Sequence, residues 1–225
     1  MLVKDLFLSK ITKKKIYKSS LVENLNNIKP LEPFFIHLKL KKRIPKKLIA
    51  NLDPHFMCEQ INFEKKFKIK DERVANRCRL YLKKDKKKIL DICKENTSYS
   101  RFVKDRKFKK LLKYPLRYYW LENYFKSKIH KNLIVSHEAE KIKGFLLLEK
   151  INKKLIINII CTSKKFKNKG VASSMIAYAN NKIMKKYKIN LYAGTQEYNY
   201  PALKFYKKNK FKIISKNYIY HILGK

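Results

Sequence analysis

The stretch "CTSKKFKNKGVASSMIAYANNKI", residues 161–183, joins an apolar run to a helical pattern through a basic loop. The preceding run "KLIINIICT" (154–162) is almost continuously apolar, which is typical of a central strand buried on both faces. The apolar residues after Gly170 recur at helical spacing. Gly170 is one of only four glycines in the chain, so its position between strand and helix needs a physical reason.

A buried strand, a basic loop, a glycine and a helix together indicate an anion-binding site. The first N–H groups of a helix have no internal partner, and the helix dipole adds positive charge there. A glycine lets the backbone approach a phosphate closely. The alternative is a strand–helix turn that only needs an unusual backbone angle. The patterns GxxxxGK[ST] and GxGxxG are both absent, which excludes a P-loop and a dinucleotide-binding fingerprint.

Two stretches resemble the GNAT superfamily of N-acetyltransferases. "KNKGVA", residues 167–172, resembles its [RQ]-x-x-G-x-[GA] loop, which binds the acetyl-CoA diphosphate, with Lys167 where the family prefers Arg or Gln. "TQEYNYPALKFYKKNKF", residues 195–211, resembles the later pattern Q-x-x-N-x-x-A-x-x-F-Y-x-x-x-G-F. Lys210 replaces the glycine of that pattern, while the following residues are in register: Gln196, Asn199, Ala202, Phe205, Tyr206 and Phe211.

The resemblance implies an α/β GNAT fold, with a central mixed, mostly antiparallel twisted sheet flanked by helices. It also implies a smaller N-terminal strand–helix–strand half-domain at residues 1–75 and the acetyltransferase domain at residues 76–225. Acetyl-CoA would be the co-substrate, and no metal is expected. Tyr206 would protonate the departing CoA thiolate. The residues implied to bind the cofactor are Cys161, Thr162, Lys167, Asn168, Lys169, Gly170, Val171, Ala172, Ser173, Asn199 and Tyr206.

Hydrophobic periodicity predicts the elements around these stretches. Strands are expected at 34–40, 56–67, 132–138, 143–151, 154–162 and 189–196, and helices at 45–53, 117–129 and 201–209. Asp85 is expected to be the N-cap of a helix that follows it. Residues 211–223 are expected to form a hairpin.

Further elements resemble dTDP-fucosamine acetyltransferase and related enzymes of amino-sugar nucleotides. They are Ser100–Phe102, followed by Trp120, Leu121 and Asn123. This implies that the acceptor amine belongs to a nucleotide-linked amino sugar, a precursor of cell-surface polysaccharide, with Arg101 near the substrate. Trp120 is expected to be a core anchor. An acceptor amine on a protein or another small molecule stays open, and so does the choice of base among Glu149, His137 and Glu197.

The formal net charge of +40 suggests nucleic acid as a partner. However, only seven of the 57 basic residues are arginine, a bias typical of an AT-rich genome. Selection for phosphate contacts would tend to keep arginine, whose planar fork binds phosphate bidentately. We therefore expect no specific nucleic-acid partner, and interpret the charge as a field that attracts an anionic small molecule. The alternative is a basic nucleic-acid-binding protein on a degenerate acetyltransferase scaffold.

The four cysteines form no CxxC pair and have no metal-ligand spacing with the five histidines. They are expected to be reduced, buried thiols in a cytoplasmic protein. No apolar run approaches the roughly 20 residues of a membrane span, so no membrane partner is expected. A homodimer is compatible with the sequence.

Overall fold

The computed structural model describes residues 2–20, 34–44, 55–68, 77–96, 99–126 and 132–223. Its helices and strands, in chain order, are β1 (Val3–Lys4), α1 (Leu6–Thr12), β2 (Lys15–Ser19), β3 (Phe34–Leu40), β4 (His55–Lys65), β5 (Cys78–Leu80), α2 (Lys86–Glu95), α3 (Arg101–Lys104), α4 (Arg106–Lys109), α5 (Leu116–Lys126), β6 (Asn132–Glu138), β7 (Lys141–Ile151), β8 (Lys154–Thr162), α6 (Val171–Tyr178), α7 (Lys185–Tyr187), β9 (Leu191–Gln196), α8 (Tyr200–Lys208) and β10 (Lys212–Leu223). A π-helical segment, Ala179–Met184, connects α6 to α7.

The ten strands of the described residues form one sheet in the order β1-β2-β3-β10-β4-β9-β8-β7-β6-β5. Among these strands the pairs β2–β3 and β8–β9 are parallel, and the other neighbours are antiparallel. This confirms the predicted mixed, mostly antiparallel sheet flanked by helices. The domain boundary at residues 75 and 76 stays a prediction, and the helix predicted at 45–53 lies outside the described residues.

The hairpin predicted at 211–223 is wrong, because this segment is the single strand β10. β10 pairs with β3 along one edge and with β4 along the other, so it needs its full length extended. The turn before β10 falls on Lys210, which adopts the left-handed conformation with φ of 62°. Lys210 thus takes over the backbone angle that a glycine would supply there.

Two further expectations from the sequence are wrong in detail. Asp85 is the N-cap residue of α2, as predicted, but its carboxylate accepts from the N–H of Leu82 at 2.8 Å and binds Arg79, instead of accepting from the α2 amides. Trp120 is 36% exposed, whereas the next residue, Leu121, is fully buried. α5 therefore anchors to the core through its leucine, and the tryptophan lies near the surface.

A bulge in β8 decides which side chains reach each face of the sheet. Leu147 and Leu148 of β7 pair with Ile159 and Ile157, so Asn158 is the extra residue. Before the bulge, Ile157 packs in the core cluster that also holds α6 residues. After it, Cys161 packs in the cluster that also holds α2 and α5 residues. The extra residue thus reverses the alternation of β8 shortly before the strand ends.

Candidate functional site

The parallel strands β8 and β9 separate after a short paired stretch. Their only paired residues in the described chain are Leu155 with Leu191 and Ile156 with Tyr192. Beyond that point the two strands share no ladder, and a cavity of about 750 Å³ lies at the end of β8, where the loop before α6 and helix α8 form its walls. The cavity is lined by Asn96, Tyr99, Arg117, Ile160, Cys161, Thr162, Phe166, Lys167, Asn168, Gly170, Val171, Ala172, Ser173, Asn199, Tyr200, Pro201, Ala202, Lys204, Phe205, Tyr206 and Lys208.

The basic loop between β8 and α6 forms one wall of this cavity. Gly170 is the N-cap of α6 and has φ of 76°, in the left-handed region. A Cβ atom built on Gly170 meets no atom within 4 Å, so open space adjoins the backbone there. The amides of the first turn of α6 have no partner within the helix, because they lie too near its start. This geometry suits a bound anion.

The cofactor residues expected from the sequence gather at this cavity, with one exception. All of them line it except Lys169, whose Nζ lies 5.7 Å from the ring centroid of Phe166. Arg101 does not line the cavity. The chain segments around Gly170 and Asn199 thus meet at one place although they are distant in sequence.

Tyr206 combines a cavity-lining position with a place in the core. It is 4% exposed, and its ring centroid lies 5.1 Å from that of Phe63 and 5.1 Å from that of Phe211. Burial raises the pKa of Tyr206 to about 12, with a smaller opposing effect from the charge of Arg117. The hydroxyl is therefore protonated at neutral pH and is able to donate a proton.

Asn199 holds the start of α8 against the end of β9. Its Oδ1 accepts from the N–H of Ala202 at 3.4 Å, and its Nδ2 donates to Oγ1 of Thr195 at 2.9 Å. Both ends of its amide are thus engaged within the protein. Asn199 lines the cavity, and these two hydrogen bonds fix its side chain in the wall.

The sequence analysis missed two residues that line the cavity and one glycine in the strand next to it. Arg117 of α5 lines it together with Cys161, and the charge of Arg117 opposes the rise in the pKa of the Cys161 thiol that burial causes. Asn96 donates to the carbonyl of Thr162 at 3.1 Å and so fixes the end of β8. A Cβ atom on Gly144 would lie 2.6 Å from the carbonyl oxygen of Cys161, so only glycine lets β7 approach β8 there. The scarcity of arginine was a signal that could have identified Arg117.

None of the three candidate bases lines the cavity. Glu149 accepts from Nδ2 of Asn158 at 2.6 Å, and Nδ1 of His137 lies 3.3 Å from the carbonyl of Ala139. Glu197 follows β9 directly, and its buried Oε2 has no hydrogen-bond partner among the described residues. Burial raises the pKa of Glu197 above its ordinary value.

The charges on the cavity wall all have one sign. Its ionised side chains are Arg117, Lys167, Lys204 and Lys208, and no aspartate or glutamate belongs to the described lining. Within the described ranges, no three His, Cys, Asp or Glu side chains come together in a way that could hold a metal ion. In that same part of the chain, no helix has both the length and the apolar character needed to cross a membrane.

The sequence model described as "Acetyltransferase (GNAT) family" matches residues 91–211, more than half of the chain. The chain belongs to the GNAT acetyltransferase family. It is therefore an N-acetyltransferase, and acetyl-CoA is the acyl donor of this family. The match spans the β8–α6 loop, the β9–α8 segment and Arg117, which are the parts of the chain that build the cavity.

Several solved structures share the fold. A functionally unknown conserved protein from Staphylococcus epidermidis has 13% identity and a TM-score of 0.58, over 93% of this chain and 83% of that chain. A GCN5-related N-acetyltransferase from Kribbella flavida has 6% identity and a TM-score of 0.56, over 85% and 70%. The PaiA N-acetyltransferase of Thermoplasma acidophilum, in complex with coenzyme A, has 19% identity and a TM-score of 0.50, over 64% and 96%. No curated protein matches the sequence.

Proposed function

We propose that this acetyltransferase binds acetyl-CoA in the cavity at the end of β8 and transfers the acetyl group to the amine of a nucleotide-linked amino sugar. The observation that supports the cofactor position is the loop at Gly170, where open space adjoins free helix amides. The diphosphate would lie against these amides and Lys167, and the pantetheine would extend into the gap between the strands. The neighbour from Thermoplasma acidophilum, solved with coenzyme A, is consistent with this proposal.

Two groups would act on the thioester. The backbone N–H groups near Cys161 and Thr162 would polarise its carbonyl oxygen, since developing negative charge is stabilised by fixed donors. The Tyr206 hydroxyl would then donate a proton to the CoA thiolate as the tetrahedral intermediate collapses. The support for this role is the position of Tyr206 in the cavity lining, since a tyrosine carries its proton at neutral pH even with an ordinary pKa and the raised pKa makes it a weaker acid.

The acceptor amine must lose a proton to become nucleophilic, and we propose that Glu197 receives it through water. Glu149 and His137 are less suitable, because each contacts an internal partner at another place in the sheet. Glu197 lies two residues before Asn199, which lines the cavity. Its raised pKa brings it closer to neutrality, as a general base requires.

The positive wall supports an anionic acceptor. A nucleotide-linked amino sugar, serving polysaccharide biosynthesis in the cytoplasm, carries the diphosphate that such a wall would attract. The resemblance at Ser100–Phe102 supports the same acceptor. A lysine-rich peptide would be repelled by this wall, so a protein acceptor is less favoured.

The first test measures acetyl-CoA binding by calorimetry and turnover against a panel of amino-sugar nucleotides. We expect Tyr206→Phe to lower kcat by about 10- to 1000-fold, somewhat below the usual range for a general acid because water partly substitutes. The affinity for acetyl-CoA should change little. Tyr187→Phe is the matched control, since Tyr187 is outside the cavity lining and its ring lies beneath the Nζ of Lys150 at 4.5 Å.

Full activity in Tyr206→Phe would reject the acid role. A protein that binds no acetyl-CoA but binds duplex DNA below micromolar concentration at physiological salt would instead favour the nucleic-acid alternative.

A further inference from the structure

Helix α8 turns one face towards the cavity. Tyr200, Lys204 and Lys208 all line the cavity, and they follow one another at intervals of four residues. Side chains at this spacing lie on the same face of a helix. Leu203 and Lys207 belong to the same helix but not to the described lining. The face that meets the cavity therefore carries two ammonium groups and one phenol ring.

The two lysines of this face have no counter-ion among the described residues. No described carboxylate lies within ion-pair distance of Lys204 or Lys208. Both side chains are exposed, so their ammonium groups stay hydrated and movable in the free protein. The described lining of the cavity contains no aspartate or glutamate, so both charges are available to an anionic ligand there.

Lysine is abundant in this chain, so the position of these residues carries more weight than their type. A lysine near the C-terminus of any helix is favourable, because it opposes the partial negative charge of the last carbonyl groups. Lys207 and Lys208 both serve this purpose, since both lie in the last turn of α8. They differ in that Lys208 lines the cavity and Lys207 does not. A comparison of the two therefore separates a binding role from a general effect of charge.

The end of α8 is fixed to the start of α6. Nδ2 of Asn209, the residue after Lys208, donates to Oγ of Ser173 at 3.1 Å and to the carbonyl of Phe205 at 2.9 Å. Ser173 belongs to the first turn of α6, three residues after Gly170. Asn209 is buried, so this connection is shielded from water. Lys208 is therefore held next to the helix amides where the diphosphate of the donor would lie.

Coenzyme A carries a third phosphate besides its diphosphate. It is a monoester at the 3′ position of the ribose, and the same ribose carries the diphosphate at its 5′ position and the adenine base. A phosphate monoester has a charge of about −1.5 to −2 at neutral pH, the highest on any single phosphate of the molecule. Since these groups share one sugar, a cation held beside the diphosphate site is within reach of the 3′-phosphate.

We propose that Lys204 and Lys208 bind the 3′-phosphate of the donor and that the ring of Tyr200 stacks on its adenine. The flexible stem of a lysine lets its ammonium group follow a phosphate, and an aromatic ring stacks on the flat face of a base. Tyr200 suits this role because its side chain is 67% exposed at the cavity. The inference rests on the proposed function, because it takes the diphosphate to lie at the Gly170 loop. It makes one face of α8 the element that selects coenzyme A over donors without a 3′-phosphate.

The test measures the binding of CoA and of 3′-dephospho-CoA to the full-length protein by calorimetry at one salt concentration. The two ligands differ only in the 3′-phosphate. The wild type should bind CoA at least about 10-fold more tightly, the lower end of the range for hydrogen bonds to a charged group, because both lysines are exposed. Lys204→Gln and Lys208→Gln should each reduce this preference by about 3-fold. The double variant should bind the two ligands with nearly equal affinity, while its affinity for dephospho-CoA stays close to that of the wild type.

Two further variants act as controls, and all four substituted side chains are exposed, so the fold should tolerate the changes. Lys207→Gln removes the same charge from the same helix outside the cavity lining, and should keep the preference of the wild type. Tyr200→Leu should weaken the binding of both ligands by the same factor, about 5-fold or more, because both contain the base.

The possible failures have different meanings. A wild-type protein that binds neither ligand contradicts the proposed function itself. Equal binding of the two ligands by the wild type contradicts only the 3′-phosphate site. A loss of preference in Lys207→Gln as large as that in Lys208→Gln would attribute the preference to the overall positive field and overturn the assignment. Lysine variants that weaken both ligands equally would place the two lysines on the diphosphate, which also contradicts it, and wild-type affinity in Tyr200→Leu contradicts the stacking.

Discussion

The histidines packed near Arg101 should make the fold sensitive to mild acid. His37 and His221 lie with their ring centroids 5.3 Å apart. Burial lowers the pKa of both, although at His221 the hydrogen bond to Asp105 partly opposes the effect. Their contribution to stability is therefore fully present above the ordinary histidine pKa of about 6.5 and is lost as the pH falls below it.

The size of the effect follows from proton counting. Between pH 6 and 5 an unfolded histidine is mostly protonated, whereas His37, whose pKa is lowered well below its ordinary value, resists protonation in the folded state. Each proton taken up on unfolding changes the free energy of unfolding by about 1.4 kcal/mol per pH unit, so His37 contributes up to that amount and His221 contributes in the same direction. Glu197 opposes this, because its raised pKa means that unfolding releases a proton in part of the same range. Burial raises the pKa of Asp105, but its hydrogen bonds to His221 and to backbone N–H groups lower it overall. Asp105 therefore also lowers the free energy of unfolding as the pH falls, but at lower pH than the histidines do.

The assay is urea unfolding of the wild type and of His37→Gln at pH 5.0, 5.5, 6.0 and 7.0. The difference between the two slopes isolates His37, because the opposing effect of Glu197 is common to both proteins. We expect the slope of the variant to be smaller by about 1.4 kcal/mol per pH unit between pH 5 and 6. Equal slopes in that range would refute the view that His37 is neutral in the folded state.

Two predictions concern glycines, Gly144 beside the cavity and Gly170 in its wall. Gly144→Ala should destabilise the fold by about 1–3 kcal/mol in urea unfolding, since its Cβ would lie 2.6 Å from the Cys161 carbonyl oxygen; an unchanged midpoint would contradict this close approach. Gly170→Asn should keep the fold but weaken CoA binding in calorimetry by about 1–3 kcal/mol, the scale of lost hydrogen bonds to a charged group; wild-type affinity would place the diphosphate elsewhere.

The parts of the site that could be predicted are those encoded in local sequence. The segments around Gly170 and Tyr206 each carry a sequence motif, and β8 is an almost continuous apolar run. All three could therefore be identified from the sequence. Arg117 was missed because its position depends on how α5 packs against β8, which no local pattern contains.

The errors in the fold have the same origin. A hairpin and one long strand show the same alternation, and only the partners of β10 on both edges distinguish them. The bulge at Asn158 is equally invisible in the sequence, because odd-numbered residues stay apolar on both sides of it while their side chains change face. The bulge matters for the site, because it places Cys161 on the face of the sheet where α5 carries Arg117.

The backbone angle alone does not explain why glycine occupies position 170. Left-handed positions elsewhere in the described chain are filled by other residues: Lys13, Arg77, Ala139, Asn152, Asn168, Lys188 and Lys210. Lys210 even replaces a glycine of the family pattern and keeps the turn. A chain that tolerates lysine and asparagine at these angles would tolerate them at Gly170 if φ were the only requirement. The further requirement at position 170 is the open space beside the backbone, which any side chain would enter. The proposed diphosphate needs this same space to reach the backbone amides.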